Sequence, residues 1–242
     1  MAHFYLNELI ESAAVGDRVS IDGPEARHAV TVSRLAVGET VSIGNGRGLV
    51  ATGPIVTAEH TELAIEVAEI RDVPRGAPAI VLAQALAKGD RDELAVQVST
   101  ELGVDAVIPW TAARSISRWE GSKIAKGHDR WSAITREASK QSIRAWLPDV
   151  LDLVSTNQLA KLAAHTHLLV LEPTAEQALT AVELDDRDVV LVVGPEGGIA
   201  PHELDALVAA GASLVRLGDG VLRTSTAGPA AIAVLSAKLT RW

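Results

Sequence analysis

The 242-residue sequence contains no cysteine. Disulfides, thiolate metal sites and cysteine nucleophiles are excluded together. Aromatic residues are scarce, at 3% of the chain, with one Phe, one Tyr and five Trp. No apolar run approaches the roughly eighteen residues that a membrane-spanning helix needs. The N-terminus, MAHFYLNELIESAAVGDRVS, lacks a basic segment followed by a long apolar one. These absences predict a cytoplasmic protein with no membrane partner. Positive charge is in deficit, with 22 Lys and Arg against 31 Asp and Glu and a formal charge of −9. So acidic a chain is no indiscriminate binder of nucleic acid, because phosphates must be met by cations. The GxSxG, HExxH, GxGxxG and P-loop patterns are also missing, which removes the usual supports of hydrolase, zinc-protease, dinucleotide and nucleoside-triphosphate readings. His28 is not read as a metal ligand, and no metal is expected.

What is present is a 48% hydrophobic chain, ample for a packed core in one large domain or two modest ones. Its most organised stretch runs from Val189 to Leu239 and writes a strand-loop-helix pattern twice. Val189 to Val193 is a continuous Val/Leu run, suited to a strand buried on both faces of a parallel sheet. Gly194-Pro195-Glu196-Gly197-Gly198 breaks it, and glycines there let a ligand approach the main chain without a Cβ in the way. Pro201 suits the first turn of the next helix and Gly211 its end. The second unit has Ser213 to Leu217 as strand, Gly218-Asp219-Gly220 as turn, and Leu222 to Thr226 leading into a helix of small residues. That helix, with Ala227, Gly228, Ala230, Ala231 and Ala233, suits tight packing inside the fold or across a subunit interface. One glycine turn is commonplace. Two on neighbouring strands mark a ligand site, because open α/β sheets bind ligands beyond the carboxyl ends of their strands.

The charge deficit is reversed locally. From Ala112 to Ala145 eight basic residues stand against three acidic ones, a balance of +5 that leaves −14 for the rest of the chain. The stretch also holds Trp119, Trp131 and Trp146, which either stack on bases or anchor helices. Trp131 to Arg144 reads as a helix with Arg136, Lys140 and Arg144 at i, i+4 and i+8, a stripe suited to a phosphate backbone.

Before it, residues 1–73 read as a small β domain of short, partly alternating runs, with Gly44-Asn45-Gly46-Arg47-Gly48 as a hairpin signal and Pro24 to Val32 as a short helix. Arg71 to Pro78 carries two prolines, a glycine and charges, and marks the boundary to a second domain over 79–242. There Ala79 to Ala87, a helix from Arg91 to Leu102 and Ala106 to Pro109 form a βαβ unit, and His167 to Leu171 is a further buried strand. Lys88 ends the first of these strands, where it either meets a phosphate or is a solvated turn residue.

The pair GPEGG and RLGDGVLRTSTAG, preceded by HLLVLEP, resembles the C-terminal half of the RsmE family of SPOUT-class RNA methyltransferases. The resemblance extends to AKGDRDELAVQVSTELGVDAVIPWTAARS and EASKQSIRAWLPDV, and more weakly to the N-terminal domain. It implies an α/β fold with a SPOUT-type parallel sheet and a C-terminal trefoil knot, preceded by a PUA-like β-barrel. It further implies an S-adenosyl-L-methionine-dependent enzyme, acting as a homodimer on N3 of a uridine in 16S rRNA or the small ribosomal subunit. The residues it places at the cofactor are Leu171, Glu172, Gly194, Pro195, Glu196, Gly197, Gly198, Leu217, Gly218, Leu222 and Thr226. At RNA the resemblance places His28, Arg34 and Lys88, and the charge pattern adds Arg27, Arg114, Arg136, Lys140 and Arg144. His3 stands where the family carries an arginine before the paired aromatics, a departure at the N-terminal contact. Arg223 is the candidate for orienting the uracil or stabilising its charge, the other reading being a salt bridge to Glu172 or Glu196. The proton acceptor stays open among Glu172, Glu196 and solvent. The other reading of the whole is a non-catalytic RNA-binding protein using the β domain and the Arg/Trp segment.

Overall fold

The short alternating runs near the N-terminus become a six-stranded sheet in the computed structural model, which describes residues 3–242. Its strands are β1 (Phe4–Leu6), β2 (Arg18–Asp22), β3 (Thr40–Gly44), β4 (Leu49–Ala58), β5 (Glu62–Glu66) and β6 (Glu69–Asp72). They run in the order β1-β3-β4-β5-β2, with β6 paired to β4. Only β1 and β3 pair in parallel; the other ladders are antiparallel. Alternation does its expected work in β2, where Val19 and Ile21 are buried between exposed Arg18 and Asp22. The hairpin signal is the β3–β4 turn, closed by Asn45, whose Oδ1 accepts the N–H groups of Arg47 and Leu49 at 2.7 and 3.1 Å. Within β4 the register shifts between Ile55 and Thr57. Just before the shift, a Cβ on Gly53 would lie 1.9 Å from the Glu66 carbonyl oxygen, so only glycine permits the approach. The expected helix over Pro24–Val32 is α1 (Gly23–Arg27), continued by a π-helical turn over His28–Val32.

From Ile80 onward the apolar runs lengthen and the sheet becomes parallel. The elements are β7 (Ile80–Ala85), α2 (Arg91–Glu101), β8 (Ala106–Thr111), α3 (Ser122–Gln141), β9 (Asp149–Val150), β10 (Val154–Ser155), α4 (Thr156–Ala160), β11 (His167–Leu171), β12 (Val189–Val193), α5 (Pro201–Ala209), β13 (Ser213–Val215) and α6 (Thr224–Lys238). The order is β10-β8-β7-β12-β11-β13, with β9 on β8 and every ladder parallel. β12 pairs with β7 on one side and β11 on the other, and all five of its residues are buried. That double burial is why it reads as an unbroken Val/Leu run. The low profile of α6 serves packing within this unit: a Cβ on Gly228 would come 2.9 Å from Leu82 Cδ1 and 3.5 Å from Val193 Cγ2. Ala231, Ile232 and Leu235 are buried beside it.

The chain divides into two compact units, one running to Arg75 and regaining Ser139–Leu147, the other comprising Gly76–Ala138 and Pro148–Trp242. Sequence periodicity places 139–144 on a helix of the second domain. Instead α3 spans Ser122–Gln141 and ends there, and Ile143 takes the left-handed conformation with φ 55°. The segment then joins the first unit, where Gly48 N–H donates to Ala145 O at 3.0 Å, Leu147 N–H to Gly46 O at 2.9 Å and Trp146 Nε1 to Val73 O at 2.7 Å. The expected stripe of Arg136, Lys140 and Arg144 therefore does not exist. Arg144 lies beyond the helix, and the Lys140 ammonium is 2.9 Å from the Glu25 carboxylate with a side chain only 9% exposed. A lysine so neutralised and covered is no phosphate ligand.

Candidate functional site

β11, β12 and β13 all deliver their carboxyl ends to one side of the sheet. The loops that follow them, Glu172-Pro173, Gly194–Ile199 and Arg216–Arg223, bound a cavity of about 410 Å³. That volume lies in the range of small-molecule sites, and the place is where open α/β sheets bind ligands. The walls are largely apolar, from Leu171, Val193, Ile199, Val215, Leu217 and Leu222, with the carboxylates of Glu172 and Glu196 and the guanidiniums of Arg91, Arg216 and Arg223 among them. Gly218 and Gly220 are open wall, since a Cβ at either would meet nothing within 4 Å. The glycines of the first loop serve geometry instead. Gly198 has φ +71° and closes the turn on Pro195 O at 2.9 Å, while a Cβ on Gly194 would strike Ile199 Cγ1 at 2.7 Å.

Hydrogen bonds between distant segments fix these loops. Glu196 Oε1 accepts the Lys88 N–H at 2.9 Å and the Arg91 guanidinium at 3.0 Å, tying the first loop to the β7–α2 turn. Burial works to raise the Glu196 carboxyl, but its hydrogen bonds from backbone N–H groups and from Arg91 outweigh that and hold it below the usual carboxylate range. The Thr224 hydroxyl donates to Gly194 O at 2.7 Å and accepts from Gln84 Nε2 at 2.9 Å, joining α6, the first loop and β7. Arg114 Nη1 donates to Gly197 O at 3.0 Å.

Of the residues expected at the cofactor, Leu171, Glu172, Gly194, Pro195, Glu196, Gly198, Leu217, Gly218 and Leu222 line the cavity, and so does Arg223. Gly197 and Thr226 do not. Gly197 is occupied with Arg114, and Thr226 is exposed on α6 while Thr224, at the helix start, takes the inward place. Arg91, Arg216 and Thr224 line the cavity without having been anticipated. A small hydroxyl residue at the first position of a helix, after a glycine turn, is the signal that points to Thr224. The alternative salt bridge from Arg223 is not formed: Glu196 is taken by Arg91, and Glu172 Oε1 accepts from the Thr174 N–H and hydroxyl at 3.2 and 2.9 Å.

The residues expected at RNA are dispersed. Arg27, His28 and Arg34 are exposed in the first unit, Arg34 in the left-handed conformation with φ 56°. Lys88 is exposed in the second, whereas Arg136 and Arg144 are half-buried. Among the described residues no group of three or more His, Asp or Glu could hold a metal, and no helix is long and apolar enough to cross a membrane.

Residues 75–236 match the family model of an RNA methyltransferase domain, and residues 21–67 match that of an RNA methyltransferase PUA domain. The ribosomal RNA small subunit methyltransferase E of Mycobacterium bovis is 40% identical over 99% of this chain and 92% of its own length. The Bacillus subtilis protein of the same name is 31% identical, covering 90% of this chain and 89% of its own. Among solved structures, the small subunit methyltransferase E of Neisseria gonorrhoeae, bound to S-adenosyl methionine, superposes with a TM-score of 0.88 at 29% identity over 98% of both chains. Fold, sequence and site together show that the chain belongs to the ribosomal RNA small subunit methyltransferase E family.

Proposed function

We propose that the protein transfers a methyl group from S-adenosyl-L-methionine to N3 of a uridine in the 16S rRNA of the small ribosomal subunit. The observation that carries this is the convergence of three loops on one cavity at the carboxyl ends of β11, β12 and β13. The cavity fits such a cofactor. It has the volume for a nucleoside-sized ligand, apolar walls for a purine, open glycine positions at Gly218 and Gly220, and the Glu172 and Glu196 carboxylates for hydroxyl and cationic groups. The N. gonorrhoeae relative, bound to S-adenosyl methionine, supports the same choice of ligand.

The bound cofactor supplies an activated methyl group on a sulfonium, so the chain has to position, orient and supply a field. Leu171, Glu172, Gly194 to Glu196, Gly198, Leu217, Gly218 and Leu222 hold it. Arg223 starts α6 in an extended conformation, with its carbonyl accepting the N–H groups of Thr226 and Ala227, and its guanidinium makes no ion pair among the described residues. As the uracil N3–H is lost, negative charge grows on the flanking oxygens, and a preorganised cation there lowers the barrier. Glu196, held below the usual carboxylate range by its donors, is a poor acceptor for that proton; besides lining the cofactor cavity it fixes the loops.

The chain through these three loops forms a trefoil knot, in keeping with the family resemblance. Residues 1–73 act as a PUA-like barrel that meets rRNA through Arg27, His28 and Arg34, and 79–242 as the methyltransferase domain. Val221 and Leu222, 78% and 41% exposed at the cavity rim, support a homodimer in which a second copy covers them.

Calorimetric titration with S-adenosylmethionine, run beside methylation of small-subunit rRNA, tests the proposal. Saturable one-site binding, weakened at least tenfold in Gly218→Leu, and a uridine methylated at N3 are expected. No binding with or without rRNA, in a protein that still binds rRNA, would replace the enzyme with the non-catalytic RNA-binding reading.

A further inference from the structure

A second cavity, of about 500 Å³, lies in the same unit and shares only the β7–α2 turn with the machinery above. One wall is the β7–α2 turn from Lys88 to Glu93, the other the stretch from Ile116 to Trp131. Five cations line it, Lys88, Arg118, Lys123, Lys126 and Arg130, against Asp90, Asp92 and Glu93, a surplus of two positive charges in a chain of −9. The cations are not equivalent. Arg130 is spent on Glu93, with two contacts of 2.6 Å. Arg118 is anchored by the carbonyls of Ala112 and Ala113 at 3.1 Å, which leaves its charge uncompensated. The amines of Lys88, Lys123 and Lys126 are exposed and make no ion pair among the described residues. Asp92 is buried, its oxygens taking the N–H groups of Ala87 and Glu93, and burial pushes its carboxyl up.

An aromatic wall completes the cavity. Trp119 is set against the main chain of α3 at Gly127, where a Cβ would lie 2.3 Å from the indole, and it meets Trp131 edge-on at 5.2 Å and 76°. A glycine within a helix is unfavourable in itself. Here its absence of a side chain seats the indole, so the ring is held rigidly beside two free lysines one turn apart. Loose amines, an anchored guanidinium and a fixed indole are the elements with which proteins take single-stranded nucleic acid, phosphates to the cations and a base to the ring. The volume exceeds what an inorganic phosphate needs. The β7–α2 turn is shared with the first cavity, since Arg91 lines that cavity and Glu196 holds both Arg91 and Lys88.

We infer that this second cavity holds an unpaired nucleotide of the substrate RNA close in sequence to the reacting uridine, its base on Trp119 and its phosphate among Lys123, Lys126 and Arg118. The inference rests on the rRNA methyltransferase reading and deepens it.

The test uses the full chain and a fluorescein-labelled oligouridine of about ten nucleotides, followed by anisotropy between about 50 and 200 mM salt. Lys123→Glu with Lys126→Glu is expected to weaken binding at least tenfold and to lower the slope of log Kd against log salt by about 0.7, the share of one single-strand phosphate. Trp119→Leu should weaken binding several-fold with the slope unchanged. The affinity for S-adenosylmethionine, measured on the same preparations, should stay within twofold and shows that the variants are folded. Wild-type RNA affinity and salt slope in the lysine variant would overturn the inference while leaving methyl transfer intact. Failure of the wild type to bind S-adenosylmethionine or to methylate rRNA would strike the underlying reading instead. Displacement of the oligouridine by UMP at equal concentration would assign the cavity to a free nucleotide rather than to RNA.

Discussion

The two cavities of the second unit share one turn and are made of opposite materials. The first is built on the ends of buried strands, with apolar walls and charges that are tethered, as Glu196 is to Arg91, or placed at a helix start, as Arg223 is. The second is built on an exposed helix start with lysines that nothing restrains. Bond-making needs atoms held within a fraction of an ångström, and only packed strands and reciprocal hydrogen bonds supply that. Grip on a flexible polyanion asks only for charge and a flat ring. The difference teaches where rigidity is required and where it is not.

The contrast is broken most severely at Arg223. Its replacement by Ala should lower the rate of methyl transfer by about 10²–10³-fold, the scale of losing one donor to a developing oxyanion, with cofactor affinity nearly unchanged. Single-turnover rates and calorimetry on the same variant separate the two quantities. Next comes Gly228→Val, which forces side-chain atoms against Leu82 and Val193. Overpacking of this kind should destabilise the protein by about 1–3 kcal/mol in denaturant unfolding. Gly218→Leu sharpens the comparison from the other side. A side chain there enters open space, so unfolding should shift by no more than about 0.5 kcal/mol while cofactor affinity falls at least tenfold. The smallest effect is expected from Glu196→Gln. Because the Glu196 carboxyl is lowered in the fold, its stabilisation is present above the ordinary carboxylate range and is lost as pH falls through the lowered value. Melting curves of variant and wild type should therefore converge in acid and differ by under about 1 kcal/mol near neutrality.

Much of the second unit is legible in the sequence because burial on both faces writes itself as unbroken apolar runs. His167–Leu171 and Val189–Val193 read with their observed limits for that reason. The cavity at the end of Val189–Val193 is legible too, since two glycine turns after neighbouring strands mark a ligand site where one alone would not. What is not legible depends on partners far away in the chain. β1 is three residues long and has no period to display, and it exists through its pairing with β3. Lys140 reads as a phosphate ligand until Glu25, 115 residues away, is placed against it. Arg91 and Glu196 are 105 residues apart, and neither reads as a partner of the other. Gly127 carries a local signal, a glycine amid a helix next to tryptophans, but its meaning appears only when Trp119 is seen resting on it.

The β7–β12 ladder sets a clock for the nascent chain. Its partners stand far apart in sequence, with the Ala79 N–H at its start bound to Asp188 across 109 residues. Closing a loop of that length costs about 4 kcal/mol in chain entropy before the first pair forms, and no part of it can form until Val189 has been synthesised. β8 can join β7 early, on one edge. On the other, Ile80–Ala85 must wait for a strand made 109 residues later, so the ladder that gives the mature site its floor leaves this edge of the nascent chain open to wrong partners through that interval.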